Sequence, residues 1–330
     1  MLKSNDIKFK ANYVRIELEK LIATKKVGAK LTSERDLADK YNVSRKTIRN
    51  AVETFINDGT LKRIHGSGVY IKHPLSYSLK LLLIYDGEKY DLFEKRLSEL
   101  IYNITTSRNI FLNFIETNDF YKNPAMINNY DGLLIFGLLS KEYMALVKIP
   151  VVGFFESNVF LDNSCNISVD DIYSSVRLVK YLKSINHKKM MFIGNLDFKW
   201  AKRRCEGVEQ IVDDLVVLDI HNDDLNFADI YTKIKENGIS AIICCNDETA
   251  FLTIDILRNN GIKIPDDISV AGYDGIDVGN IRLTTMAYPL ELLSEAYVEE
   301  IIGLHNKDTN VSKKVIFTTE LVVGETTKKI

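Results

Sequence analysis

Nowhere in these 330 residues is there an uninterrupted apolar run of about 18, so no segment reads as a membrane span. Cysteine is scarce. Cys165, Cys205, Cys244 and Cys245 show no metal-ligand spacing, and the adjacent pair falls in an apolar, strand-like run. That usage suits reduced thiols in a cytoplasmic protein better than a disulfide framework. The five histidines show no metal spacing either, so no metal and no cofactor is expected. The opening MLKSNDIKFK is polar and lacks the apolar stretch of a secretion signal. Enzyme signatures are missing too. No GxGxxG follows the strand expected at 79–85, and there is no GxxxxGK loop ending in Ser or Thr and no GxSxG elbow. An enzyme on a doubly wound fold therefore has no motif to carry it, and no enzymatic activity is expected.

What is present is unevenly charged. The net charge of −2 hides two opposed halves. Residues 1–73 carry 16 Lys and Arg against 8 Asp and Glu, and residues 74–330 carry 27 against 37. A basic head on an acidic body suits a nucleic-acid-binding module joined to one that does not bind nucleic acid. The length allows two or three domains with ample core.

The head is the most legible stretch. Ser33 is placed to cap a helix whose first turn holds Glu34 and Asp36 and whose apolar side is Leu37, Ala38 and Tyr41. Asn42-Val43 makes a turn. Ser44 then caps a second helix in which Ile48, Ala51, Val52 and Phe55 repeat at helical spacing, and Gly59 ends it. The other face carries Arg45 and Arg49, one turn apart, with Lys46 beside them. Apolar residues that hold a helix on its scaffold, with basic forks opposite, are what a major-groove recognition helix needs. Leu61–Ile64 and Val69–Ile71 read as a hairpin around His65-Gly66-Ser67-Gly68. The plainer alternative is a surface helix with solvated charge. Caps, turn, apolar face, basic face and glycine tip agree in order over forty residues, which weighs against it.

This segment resembles the GntR-type winged helix-turn-helix. The family's run is matched by Leu31-Thr32-Ser33-Glu34-Arg35, Val43-Ser44-Arg45, Arg49-Asn50-Ala51 and Gly66-Ser67-Gly68, within roughly residues 9–72. Thr32 replaces a usual proline and Asn50 an acid. The resemblance implies DNA contacts from Arg35, Arg45, Thr47 and Arg49, with His65 and Gly66 at the wing; Ser44 and Lys46 are included with them.

The body alternates apolar strands with amphipathic helices. Strands are expected at 79–85, 110–115, 132–136, 150–155, 189–194, 215–219, 240–245, 268–272 and 315–317. Helices are expected at 91–106, 171–185, 201–213, 227–237, 247–260 and 290–305. That order means parallel sheets with helices on both faces, in two doubly wound lobes. The domains expected are a winged-helix head at 1–73, a linker at 74–78 and a body at 79–330. Lobe 1 would take about 79–157 and 289–316, and lobe 2 about 158–288 and 317–330. Ligands in such folds sit outside the carboxyl ends of the strands. Asn246, Asp247 and Asp274 fall there, and Trp200 and Arg204 lie at the opening of a helix after the strand near 190–194. Carboxylate, amide, guanidinium and an indole face are the chemistry of sugar binding. Each residue alone admits a plainer role: Asp247 a helix cap, Asp274 a turn, Arg204 a solvated surface charge.

Asn246-Asp247, the run Asn260 to Asp274, Leu283-Thr284-Thr285, Val169-Asp170, Asn186-His187-Lys188-Lys189, Arg204-Cys205-Glu206-Gly207 and Leu321–Thr327 resemble the effector domain of LacI-type regulators and periplasmic sugar-binding proteins. The resemblance is specific from about 150 to 330. It implies effector contacts from Asn246, Asp247, Asp274 and Arg204. Gly275 stands where a second aspartate is frequent and Gly324 where an arginine is frequent.

A GntR-type head on a LacI-type body is the architecture of arabinose-repressor-type regulators. The resemblance implies a sequence-specific transcriptional repressor of carbohydrate use, released from its operator by a small sugar. A single winged helix reads few base pairs, so a homodimer on a palindromic double-stranded operator is expected. A sugar phosphate or a nucleobase remains the alternative effector.

Overall fold

In this computed structural model the described residues are 14–330, without 16, 20, 23, 58, 73–77, 88–90, 138, 154–162, 222–224, 277–280 and 309–310. The chain divides into two compact units. One is Met1–Lys80 with Arg108–Asn113, and the other is Leu81–Ser107 with Phe114–Ile330.

The head folds as its local signals require. The Ser33 hydroxyl accepts a hydrogen bond from the Asp36 amide at 3.2 Å and opens the helix Glu34–Lys40. Asn42 takes a positive φ of 50° in the turn, a conformation that asparagine tolerates better than most residues. The Ser44 hydroxyl accepts from the Thr47 amide at 3.1 Å, at the start of the recognition helix Arg45–Asn57. Gly59, at φ 84°, follows that helix. Strands β1 (Leu61–Ile64) and β2 (Gly68–Ile71) pair antiparallel as the wing, and Lys30 bridges to Tyr70 alongside. Val14, Leu18 and Ile22, each four residues apart, pack into one core with Leu37, Ile48, Val52, Phe55, Leu61 and Ile71.

The body is built on two six-stranded sheets. The first contains β3 (Leu79–Tyr85), β4 (Ile110–Glu116), β5 (Gly132–Ile135), β6 (Val151–Gly153), β7 (Ser164–Val169) and β13 (Lys314–Phe317). Its order is β13-β7-β6-β5-β3-β4. The second contains β8 (Met190–Gly194), β9 (Val216–Asp219), β10 (Ala241–Cys244), β11 (Ser269–Asp274), β12 (Thr284–Ala287) and β14 (Glu320–Val322). Its order is β14-β12-β11-β10-β8-β9, and β14 runs antiparallel to β12 while the other pairs are parallel. The central strands are apolar throughout because helices cover both their faces. β5, β8 and β10 are buried at every position. Helix Leu290–Asn306 packs on helix Leu92–Ser107 and on β5, β6 and β7, and helix Asp171–Ser184 packs on helix Lys199–Glu209.

Three expectations need correction. β7 was expected in lobe 2, from residue 158 on, but it pairs with β6 and β13 in the first sheet. Sequence adjacency to the helix that follows it concealed this; the 157/158 boundary and the 74–77 part of the expected linker lie outside the described residues. β7, β12 and β14 were not expected as strands at all. The helix expected at 201–213 runs Lys199–Glu209, which places Trp200 inside its first turn. The described chain thus passes between the sheets after β7, after β12, and between β13 and β14.

Candidate functional site

The recognition helix turns its apolar side to the head's core, and Arg45, Lys46 and Arg49 are left exposed. Arg35, Ser44, His65 and Gly66 are exposed as well, and Thr47 is half-buried, its hydroxyl 2.8 Å from that of Ser44. Arg49 is not free: its Nε donates to Glu34 Oε2 at 3.2 Å. Gly66 and Gly68 both take positive φ, 71° and 125°, and so set the sharp tip of the wing.

In the body the five expected residues lie in one neighbourhood, but they bond mainly to each other and to the protein. Arg204 is the only lysine or arginine among the described residues that is buried. Its Nε donates to Asp171 Oδ1 at 3.1 Å, Nη1 to the Cys245 carbonyl at 2.5 Å, and Nη2 to the Tyr288 hydroxyl; Nη2 also pairs with Asp274 Oδ1 at 3.1 Å. The Tyr288 hydroxyl in turn donates to Asp171 at 2.9 Å. The guanidinium lies 4.7 Å from the Trp200 ring centroid and 4.8 Å from that of Tyr273. Trp200 is half-buried and stacks on Phe198 at 5.4 Å. Burial alone would pull the guanidinium's proton affinity down. Tyr288, Asp274 and Asp171 outweigh it and hold Arg204 charged well above its usual range.

The other residues divide their roles. Asn246, not Asp247, caps the helix, accepting the Thr249 amide at 2.9 Å, so the plainer role open to Asp247 does not hold. Asp247 accepts the Thr285 hydroxyl and the Ile276 amide, each at 2.7 Å. Burial pushes its carboxyl up to about 7 against those donors. Asp274 is pushed up by burial too, against the pull of Arg204, and takes a φ of 108°. Arg204 is therefore not a solvated surface charge, and Asp274 does more than turn the chain. At Gly275, φ is 77° and an added Cβ would meet that of Ala287 at 2.5 Å. An aspartate there would need a different backbone.

The partners from distant elements have no local mark in the sequence. Asp171 and Tyr288 lie 33 and 84 residues from Arg204. Asp171 lies two residues after β7 and Tyr288 directly after β12, two strands that are not legible in the sequence. From the first sheet's side, Phe93 sets its ring edge-on to Tyr288 at 5.0 Å, and Asp91 feels Arg204. Asp91 accepts the Glu94 amide at 2.8 Å, and burial raises its carboxyl. Glu94 Oε2 is buried with no hydrogen-bond partner among the described residues. Burial, then Asp91 and Asp86, push the Glu94 carboxyl up from 4.5 to about 8.

That shift has a defined sign. Between pH 4.5 and about 8 the folded chain keeps a proton that the unfolded chain has released. Stability therefore falls as pH rises through this window, by at most about 1.4 kcal/mol per pH unit for one proton. Glu94→Gln should flatten that fall in melting curves taken across the window. An unaltered pH profile in the variant would show that the carboxyl ionises freely in the fold.

Comparison with known proteins agrees with this division. Residues 11–71 match the model of bacterial regulatory proteins of the gntR family, and residues 179–327 match that of the periplasmic binding protein-like domain. The arabinose metabolism transcriptional repressor of Geobacillus stearothermophilus is 22% identical over 92% of this chain and 93% of its own. The probable HTH-type transcriptional repressor ExuR of Bacillus subtilis is 21% identical over 90% and 98%. A LacI family transcriptional regulator from Enterococcus faecium with bound ribose superposes with a TM-score of 0.66 at 19% identity, over 76% of this chain and 99% of that one. A periplasmic binding protein/LacI transcriptional regulator from Alkaliphilus metalliredigens complexed with D-xylulofuranose gives 0.65 at 21% identity, over 76% and 99%. The chain is a DNA-binding transcriptional regulator that joins a gntR-family winged-helix head to a periplasmic-binding-protein-like body of the LacI-regulator fold.

Proposed function

We propose that this regulator represses a carbohydrate-utilisation operon from a palindromic operator, as a cytoplasmic homodimer, and leaves it when the body takes up a neutral sugar. Repression is supported by the names of the full-length relatives, and a sugar by the ribose and D-xylulofuranose held by structural neighbours. Neutrality rests on one observation: Arg204, the buried cation, is saturated by Asp171, Asp274, Tyr288 and the Cys245 carbonyl. A phosphate or carboxylate entering there would find its countercharge already taken by Asp171 and Asp274. Sugar hydroxyls meet no such obstacle. They accept and donate, and an apolar sugar face can lie on Trp200. The ligand would weaken operator binding only by preferring the arrangement of the body that the DNA-bound dimer disfavours.

The test is a melting panel of neutral pentoses and hexoses beside the same sugars phosphorylated. A bound ligand raises the melting temperature by mass action. The neutral member that does so should also release the operator fragment in a gel shift. Stabilisation by a phosphorylated sugar alone would remove the neutral assignment.

Trp200 supplies a second reading of the same event, because it is the chain's only tryptophan. Its indole sits against Arg204, so a sugar that settles there should change its emission and saturate with the binding isotherm. A ligand verified by calorimetry that leaves the emission untouched would place Trp200 in the packing of its lobe and outside the pocket.

A further inference from the structure

The head holds a four-membered chain of ion pairs, of which Arg49 alone is among the expected DNA contacts. Glu34, half-buried in the first turn of its helix, engages two arginines at once. Its Oε2 takes Nε of Arg49 at 3.2 Å, and its Oε1 takes Nη1 of Arg63 at 3.1 Å. Arg63, on β1, also donates through Nη2 to Glu53 Oε1 at 2.5 Å. Glu53 lies on the recognition helix, one turn beyond Arg49. Three elements are tied by this chain: the first helix, the recognition helix and the wing.

We propose that Glu34, held by Arg63, is a positioning residue for base recognition by Arg49. It fixes which edge of the guanidinium can face a base. Arginine can read guanine bidentately through its two terminal nitrogens or through Nε and one of them. Glu34 occupies Nε and leaves the Nη1/Nη2 end to point outward, on a side chain that is 63% exposed. Exposed ion pairs add little to stability, so thermal stability is not what this arrangement serves. It restricts a long, flexible side chain to one geometry before DNA arrives, which lowers the ordering cost of the contact. Arg63 extends that order to the wing, because the strand that carries it leads directly into the tip at His65 and Gly66.

The inference rests on the reading that Arg49 contacts a base, and the experiment separates the two. The full chain selects a preferred duplex from a random-sequence pool, and affinities are measured for that duplex and for a scrambled one of equal composition. Glu34→Gln should lower the ratio of the two affinities about tenfold, the scale of one bidentate contact. Its affinity for the scrambled duplex should stay level or rise, since one carboxylate near the phosphates is gone. A mere folding defect would lower both affinities together. In an Arg49→Ala background the same Glu34 change should cost no further discrimination. Arg63→Gln, which leaves the Glu34–Arg49 pair in place, should lower the ratio two- to threefold and serves if the Glu34 variant does not fold. Wild-type discrimination in both variants, parallel loss on both duplexes, or an undiminished Glu34 effect without Arg49 each overturns the positioning role. Full discrimination by Arg49→Ala would instead remove Arg49 from the bases, and the role of Glu34 with it.

Discussion

Arg204→Met should destabilise the body by about 3–5 kcal/mol, the scale for removing one member of a buried ion pair. Methionine fills much of the space but leaves Asp171 and Asp274 buried without their cation. The loss should be greatest at neutral pH and smaller in acid, where Asp274, which burial already pushes up, can take up a proton. Adding Asp171→Asn and Asp274→Asn to the variant should recover part of the stability, because the uncompensated charge then disappears. Urea titrations of the parent, the single variant and the combined variant at two pH values would measure this. A variant within about 1 kcal/mol of the parent would mean that water reaches these carboxylates after all.

Arg45→Ala should cost about 1–3 kcal/mol of operator binding for each half-site it reads, with little change on unrelated DNA. Arg45 is exposed at the start of the recognition helix, and no other described residue pairs with its charge in the way Glu34 pairs with Arg49. Lys46→Ala, by contrast, should weaken binding to all sequences about equally and lower the salt dependence by about one unit of slope. Fluorescence anisotropy on operator and unrelated duplexes at two salt concentrations separates the two behaviours. Equal losses on both duplexes for Arg45→Ala would reassign it to the phosphates.

The head was legible almost residue by residue because its signals are local. A cap acts within three residues, as at Ser33 and Ser44, and an apolar stripe repeats within a few turns. The body was legible where strands are uniformly apolar, as in β8 and β10. It was not where strands carry polar residues with distant partners. β7 holds Ser164, Asn166 and Ser168, and β12 holds Thr284 and Thr285. Thr284 is satisfied by Thr326 and Thr327, more than 40 residues away, and Thr285 by Asp247. An alternation test reads such segments as loop. The same distance hid the inner half of the site. The sequence marked Arg204, Asp247 and Asp274 as polar groups at strand ends, but it could not show that Arg204 and Asp274 satisfy each other, or that Asp171, Tyr288 and Asp91 converge on them.

The three crossings between the sheets bear on how the chain is made. The fourteen described residues of the head's core lie between Val14 and Ile71, so that core can close as soon as those residues leave the ribosome. Neither sheet of the body can. The first waits for β13 at Lys314–Phe317 and the second for β14 at Glu320–Val322, near the other end of the sequence. Until then β7 and β12 each lack a neighbour and offer open strand edges. Such long-range pairings close slowly. A nascent chain therefore acquires its DNA-reading surface well before it acquires the sheets meant to control it. That interval is when the body depends most on chaperones to stay unaggregated.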